Sequence, residues 1–216
     1  MARKISEIYA EYKIMPILQE HMLRVAAVAS LICDNFSEPL LKNDIITTCL
    51  LHDMGNILKS NFKFFPESLE PEGLKYWQKI KDDFIKKYGN SEHEATIQIM
   101  KELGVSLNAI SLVDKIKFSL LCNHCDNDDM SIKTIVYSDA RVDPYGVVSY
   151  DERMNEAKER YKNHKNNPGK KEWKKLVACG KKIEKQIFAK CKIKPEDIND
   201  ETVAPIVSIL RNFIVK

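Results

Sequence analysis

The stretch CLLHDMGN, residues 49–56, ends an apolar run with a histidine followed directly by an aspartate, His52 and Asp53. Ile45 and Leu50 belong to that run, and its spacing is typical of the buried face of an α-helix. A carboxylate buried without a partner is strongly unfavourable, so Asp53 needs a compensating charge or hydrogen bond. The stretch therefore predicts a helical core that encloses a charged or hydrogen-bonding partner of Asp53.

Four other predicted helices each place one His or Asp among apolar residues at core spacing: His21, His93, His124 and Asp139. A single histidine on an apolar stripe is usually a core residue with an ordinary hydrogen-bond partner. Here the set recurs in five helices, with no obvious Lys or Arg on the same stripes. One or two divalent cations would satisfy all these groups, and imidazole and carboxylate ligands suit Zn, Fe, Mn, Ni or Co. The fifth histidine, His164, lies in a polar, lysine-rich stretch.

The rest of the chain also predicts helices, because it has only 7 Gly and little strand-like alternation. Ser91 and Ser149 each precede a Glu by three residues, as in a capping box, and Gly104 is placed to end a helix. The fold class predicted is all-α, with a core over residues 15–163 and a basic helical extension, residues 164–216, packed on it. The predicted helices are 15–35, 43–54, 72–88, 91–103, 107–123, 131–140, 149–163, 170–191 and 201–214.

The composition is that of a globular protein able to build a core, with 216 residues, 44% hydrophobic and 30% charged. No apolar stretch is long enough to span a membrane, and the N-terminus MARKISEIYAEYK lacks the hydrophobic region of a signal peptide. The sequence thus predicts a cytoplasmic protein with no membrane association. In that compartment the six cysteines do not argue for disulfides.

Charge is distributed unevenly along the chain. Residues 158–194 hold 14 Lys or Arg and 3 Glu, a net charge of +11, whereas the remainder holds 20 basic and 28 acidic residues, a net charge of −8. This segment is a candidate for binding nucleic acid. It has few aromatic residues, and lysines commonly form the solvated face of a helix, so we favour that interpretation.

The order of these residues, H…HD…D, resembles the HD-domain metal-dependent phosphohydrolase superfamily over roughly residues 15–162. The three blocks are EHMLRVAAVA around His21, CLLHDMGN around His52 and Asp53, and VYSDARVDPYGVVSYDERMNEAKERY around Asp139. The resemblance implies a helical bundle in which His21, His52, Asp53 and Asp139 bind one metal ion.

The resemblance also implies a role for two further histidines. His93, in SEHEA, and His124, in CNHCDN, match residues that bind a second ion in two-metal members, where Asp53 would bridge the ions. Histidines at these places contact phosphate in single-metal members. The resemblance favours two ions, Fe or Mn, without distinguishing them from Ni, Co, Zn or Mg.

Two departures from the family limit what it implies. Many relatives have a lysine after the Gly of the HD block, where this chain has Asn56, with Lys59 three residues further on. Members that cleave cyclic dinucleotides add a paired histidine and a Gly-Tyr-Pro signature. This chain has a single His124 and no such signature, which disfavours that substrate.

The activity that the resemblance implies is hydrolysis of a phosphoester in a nucleotide or another small phosphorylated metabolite. Metal ions lower the pKa of bound water and neutralise phosphoryl charge, and Asp53 is the candidate proton acceptor. Arg24, one turn after His21, is the first candidate for a phosphate contact, followed by Lys59 and Arg141.

Two alternatives stay open from the residues alone. The chain could be a regulatory module that binds metal and senses a nucleotide without turnover. Cys122 and Cys125, with His124 between them, have the spacing of half a structural zinc site, but no second pair follows closely.

Overall fold

The computed structural model describes residues 2–63, 66–162 and 167–216. It confirms the all-α prediction, with eleven α-helices in those ranges. The helices are α1 (Ile5–Glu11), α2 (Pro16–Asn35), α3 (Lys42–Leu51), α4 (Leu74–Tyr88), α5 (Glu92–Leu103), α6 (Leu107–Lys115), α7 (Leu121–Cys125), α8 (Met130–Asp139), α9 (Tyr150–Arg160), α10 (Lys170–Phe188) and α11 (Asp200–Leu210).

The two ends of the chain form a pairing that the sequence did not predict. Strand β1 (Arg3–Lys4) runs antiparallel to β2 (Ile214–Val215). Helix α1 follows β1 and was also missed, because a seven-residue helix shows too little periodicity to be recognised. These elements tie the N-terminus to the C-terminal extension.

The predicted helix over residues 107–123 is wrong, since the structure divides it. Helix α6 ends at Lys115, a 3₁₀ turn covers Phe118–Leu120, and α7 begins at Leu121. The Lys115 carbonyl, left open where α6 ends, accepts a 2.8 Å hydrogen bond from His124 Nε2. The break therefore turns the chain so that α7 folds back on the end of α6.

Helix α2 is the centre of the fold. Nine of its 20 residues are buried, including Ala26, Ala27 and Ala29, so several neighbours can approach its axis closely. It packs against α3, α8 and α11. The end of α3 and the end of α8 therefore both lie beside the first turns of α2, where His21 is located.

The C-terminal extension packs on this core through the apolar stripe of α10 and through helix α11. In α10 the buried residues are Leu176, Gly180, Ile183 and Ile187, and that helix packs on α7 and α8, while α11 packs on α2. Lysines of α10 point outward, and Lys181 and Lys182 pair with Asp151 and Asp126. The domain boundary proposed at residues 163 and 164, including His164, falls outside the described residues, so the two-part division stays a prediction.

Arg141 also attaches the extension to the core, and this corrects its assignment as a substrate contact. It is 2% exposed. Its guanidinium donates to the carbonyls of Val148, Pro195 and Ile198 and to the hydroxyl of Tyr137. These bonds occupy four N–H groups of the guanidinium, so Arg141 holds backbone segments together and is not available to a phosphate.

One disulfide, Cys122–Cys179, links α7 to α10 with Cα atoms 5.1 Å apart. The sequence did not argue for a disulfide, because the lack of an export signal predicted a cytoplasmic protein, so this bond between residues 57 positions apart departs from that expectation. The pairing engages Cys122 and so speaks against a zinc site on Cys122 and Cys125. No helix in the described ranges is long and apolar enough to cross a membrane.

We expect Arg141→Met to lower the free energy of unfolding by about 3 kcal/mol, because it leaves buried carbonyls without donors. Urea denaturation followed by circular dichroism measures this. Arg24→Met is the matched control, since Arg24 is half-buried and has no hydrogen-bond or ion-pair partner among the described residues. Equal stability changes in the two variants would contradict the structural role of Arg141.

Candidate metal centre

Gly55 allows the turn after His52 and Asp53 to lie directly against the start of α5. A Cβ added at Gly55 would stand 2.2 Å from the carbonyl oxygen of Glu92. The Gly55 N–H donates to Thr96 Oγ1 at 2.9 Å, and Thr96 Oγ1 donates to the same Glu92 carbonyl at 2.9 Å. No other residue type fits here without moving α5 away from the turn.

Asn56 is buried within the same turn, where many relatives have a lysine. Its N–H donates to the Asp53 carbonyl at 3.0 Å, and its own carbonyl accepts from Ser60 Oγ at 3.1 Å. The residue is 8% exposed, whereas Lys59, one 3₁₀ turn later, is exposed. The turn thus presents its one cationic side chain from Lys59.

His52, Asp53 and His21 form the one candidate metal cluster among the described residues, with one ligand atom from each lying within 4.8 Å of the others. His52 Nδ1 donates to the Cys49 carbonyl at 2.8 Å, so the lone pair is on Nε2. That Nε2 atom is buried and has no hydrogen-bond partner in the described parts of the chain. A buried acceptor left unpaired is costly, and a cation would satisfy it.

Asp139, the last residue of α8, completes the group. Its Oδ1 lies 3.1 Å from His21 Nε2 and 3.6 Å from His52 Nε2. Asp53 Oδ2 lies 3.8 Å from His21 Nε2 and 3.7 Å from His52 Nε2. Donor atoms separated by such distances surround a space that an ion ligated at about 2.1 Å would fill. The residues present therefore fit a divalent cation.

The metal-free site is held together by charge. Burial lowers the pKa of His52, but the carboxylates of Asp53 and Asp139 outweigh it and raise that pKa to about 9. Burial raises the pKa of Asp139, but the hydrogen bond with His21 and charge interactions with His52 and His21 hold it well below its ordinary value. A proton on His52 thus offsets part of the carboxylate charge that a bound metal ion would offset.

The second predicted pair of metal ligands is not brought to this cluster. His93 Nε2 lies 2.9 Å from Asp114 Oδ1, which connects α5 to α6 and lowers the pKa of Asp114. His124 Nε2 bonds the Lys115 carbonyl, and its buried Nδ1 has no partner among the described residues. Both histidines bond α6 and lie outside the close group of His21, His52 and Asp53, so their role as ligands of a second ion stays a prediction.

Two cations lie within electrostatic range of the cluster. Although Lys59 is exposed as a residue, partial desolvation of its amine lowers its pKa, and Asp53 and other negative groups including Asp139 raise it overall. Arg160, at the end of α9, has its pKa lowered by burial and raised overall by Tyr161, Glu156 and Asp139. The sequence did not single out Arg160, because it stands within a charge-rich stretch where no pattern distinguishes one arginine.

Arg24, predicted as the leading phosphate contact, lies in a cleft beside the C-terminal helix. It lines a cleft between α2 and α11 together with Tyr145, Asp200 and Arg211. The Arg211 guanidinium bonds Glu20 at 2.7 Å in the same cleft. Arg24 therefore lies one turn from His21 but faces the C-terminal helix.

A family model, the HD domain, matches residues 18–117. The matched segment contains His21, His52, Asp53 and His93, and it ends before His124 and Asp139. No curated protein and no solved structure has significant similarity to the chain. The match confirms the resemblance found in the sequence. HD domains bind divalent metals. The match to this domain suggests the metal-dependent phosphohydrolase superfamily.

We expect Gly55→Ala to destabilise the protein by about 3 kcal/mol, because the methyl group must displace the start of α5. Gly104→Ala is the control. Its φ of 69° is strained for alanine, but the space around it is open, so about 1 kcal/mol is expected. Urea denaturation compares the two, and an equal or smaller loss at Gly55 would show that the close approach is unimportant.

The stability of the metal-free protein should fall as the pH rises. Because the pKa of His52 is raised in the folded state, its stabilising contribution is complete below about pH 6.5 and is lost as the pH passes through about 9. The loss should reach about 3 kcal/mol, measured by urea denaturation in a chelator.

His52→Gln should flatten this decline, whereas His93→Gln should keep it. The contribution of Asp139 to stability has the opposite pH dependence. It is complete above the ordinary aspartate pKa and is lost only as the pH falls through the lowered pKa of Asp139 in the folded protein. A pH dependence that His52→Gln leaves unchanged would contradict the assignment.

Proposed function

From the match of residues 18–117 to the HD domain family model, we propose that this protein is a metal-dependent phosphohydrolase acting on a nucleotide or another small phosphorylated metabolite. The observation that carries the proposal is the buried Nε2 of His52, which has no hydrogen-bond partner in the described chain and faces two carboxylates. A cation there, held by His21, His52, Asp53 and Asp139, is the arrangement that satisfies all four side chains.

A bound divalent cation supplies a lowered pKa for coordinated water and neutralises charge on a phosphoryl group. The chain supplies the rest. The Asp53 side chain is 20% exposed, so solvent water can reach it, and its carboxylate is placed to accept the proton that a nucleophilic water loses. The Cys49 carbonyl fixes the orientation of His52, which keeps Nε2 directed at the site.

Phosphate recognition falls to the cations beside the cluster. Two carboxylates balance a divalent ion, so Lys59 adds a net positive charge on the side of Asp53 and Asp139. Arg160 is held by Glu156 through Nε at 2.6 Å and Nη2 at 3.2 Å. That fork fixes the guanidinium, whose charge interacts with Asp139, so Arg160 is a second candidate to orient a phosphate that Lys59 attracts.

We expect wild-type protein to contain a divalent metal by elemental analysis and to hydrolyse at least one member of a panel of phosphoesters. Asp53→Asn should lower both the metal content and the rate, the rate by at least about 100-fold, because a ligand and the proton acceptor are lost together.

Asp114→Asn is the matched control, since Asp114 is a carboxylate that bonds His93 outside the cluster. It should retain metal and at least about half of the activity. Equal metal content in wild type and Asp53→Asn would contradict the metal centre. Hydrolysis that Asp53→Asn does not reduce would contradict the enzymatic role.

Asn56 favours a second candidate function, a metal-containing module that binds a nucleotide without turnover. The turn buries Asn56 where relatives carry a lysine, so the site has one cation fewer beside the metal. Calorimetric titration with nucleotides separates the two functions. Tight binding that depends on Asp53, with no hydrolysis of the bound nucleotide, would select the sensing module.

A further inference from the structure

The disulfide Cys122–Cys179 connects the shortest α-helix of the described chain to the C-terminal extension. Helix α7 has five residues and no side-chain cap at its start. A helix of that length has little stability of its own, so tertiary contacts must fix it. His124 lies in α7, two residues from Cys122. The position of His124 therefore depends on what holds α7 against α10.

Helices α7 and α10 pack on each other, but few polar contacts join them in the described parts of the chain. Gln186 Nε2 donates to the Cys125 carbonyl at 3.0 Å, while Gln186 Oε1 is buried and has no hydrogen-bond partner among the residues that the structure describes. Lys182 pairs with Asp126 at 3.1 Å, but both side chains are mostly exposed, so water and salt weaken that pair. The disulfide thus adds a covalent link to helices that are otherwise joined by packing and by these two polar contacts.

The two bonded cysteines are within reach of solvent. Cys122 and Cys179 are both partly exposed, as are the unpaired Cys33 and Cys191, whereas Cys49 and Cys125 are buried. Thiol–disulfide exchange needs a path for an attacking thiolate, and nearby positive charge stabilises thiolates. Lys175 and Lys182 lie one turn to either side of Cys179 on α10. Both the exposure and the nearby lysines therefore favour attack on this disulfide by a small thiolate.

We propose that Cys122 and Cys179 form a reversible redox site whose oxidation fixes α7, and with it His124, against α10. The chemistry is ordinary exchange. A thiolate of a small dithiol attacks one sulfur, the bond between the two cysteine sulfurs breaks, and the other cysteine leaves as a thiolate. The second thiol of the reagent then displaces the first cysteine, so the cystine gains two electrons and the reagent becomes a disulfide. A small disulfide reverses both steps.

Reduction loosens one region and leaves the rest folded. The site closes a loop of 57 residues, so opening it returns conformational freedom to the unfolded chain and lowers stability. In the native state the freedom gained is confined to α7 and the start of α10, because α2, α3 and α8 pack together without the disulfide.

The first test uses the full-length protein and counts its accessible thiols by alkylation in denaturant and mass spectrometry. Protein treated with a small disulfide should show four alkylated cysteines, the free Cys33, Cys49, Cys125 and Cys191, and a dithiol should raise that number to the full six. The linked peptide should contain Cys122 and Cys179. Six alkylated cysteines after the oxidising treatment, or a different pair, would overturn the proposal.

The second test follows thermal unfolding and hydrogen exchange in the oxidised and reduced forms. Reduction of the wild type should lower the melting temperature by about 5–10 °C. Amide exchange should become roughly tenfold faster in residues 118–125 and the first half of α10, but not in α2 or α3.

Cys122→Ser and Cys179→Ser should melt like the reduced protein and no longer respond to the dithiol. Cys33→Ser is the matched control, because Cys33 is partly exposed but unpaired, and it should respond as the wild type does. Equal responses of Cys122→Ser and Cys33→Ser, or exchange that accelerates evenly throughout the chain or not at all, would refute a local redox site. None of these readouts depends on hydrolysis, so failure of the proposed enzymatic function leaves this test intact.

Discussion

The hydrogen bond from His52 Nδ1 to the Cys49 carbonyl is the interaction on which the candidate centre depends. It places the imidazole lone pair on Nε2, inside the protein and away from other donors. Two carboxylates and a second imidazole then surround that atom, and such a group is stable only when a proton or a cation offsets the negative charge. The raised pKa of His52 and the lowered pKa of Asp139 are two sides of this one constraint.

The surrounding fold is arranged to bring separate helices to that point. Small residues in α2 let α3, α8 and α11 pack closely around it. Gly55 lets the start of α5 touch the turn that carries His52 and Asp53. Arg141 holds the residues after α8 to the segment before α11. The C-terminal extension is thus bound to the core from two sides, through α10 and through α11.

The sequence predicted the four residues that the structure brings together because burial leaves a pattern. His21, His52, Asp53 and Asp139 each interrupt an apolar stripe, and the helical period is short enough to be read locally. The same reasoning misassigned Arg141, because an arginine two residues after Asp139 looks like a phosphate contact until its buried acceptors are seen. Arg160 went unnoticed among many charges, and so did the redox pair.

What the sequence alone determined is therefore the all-α class, most of the helices and the residues that face inward, since all of these follow from spacing along the chain. Only the tertiary structure decided which inward residues meet. It bonded His93 and His124 to α6, turned Arg24 toward α11 and joined Cys122 to Cys179. Those outcomes depend on distances between segments far apart in the chain, and on which donors are already used, neither of which is written in local periodicity.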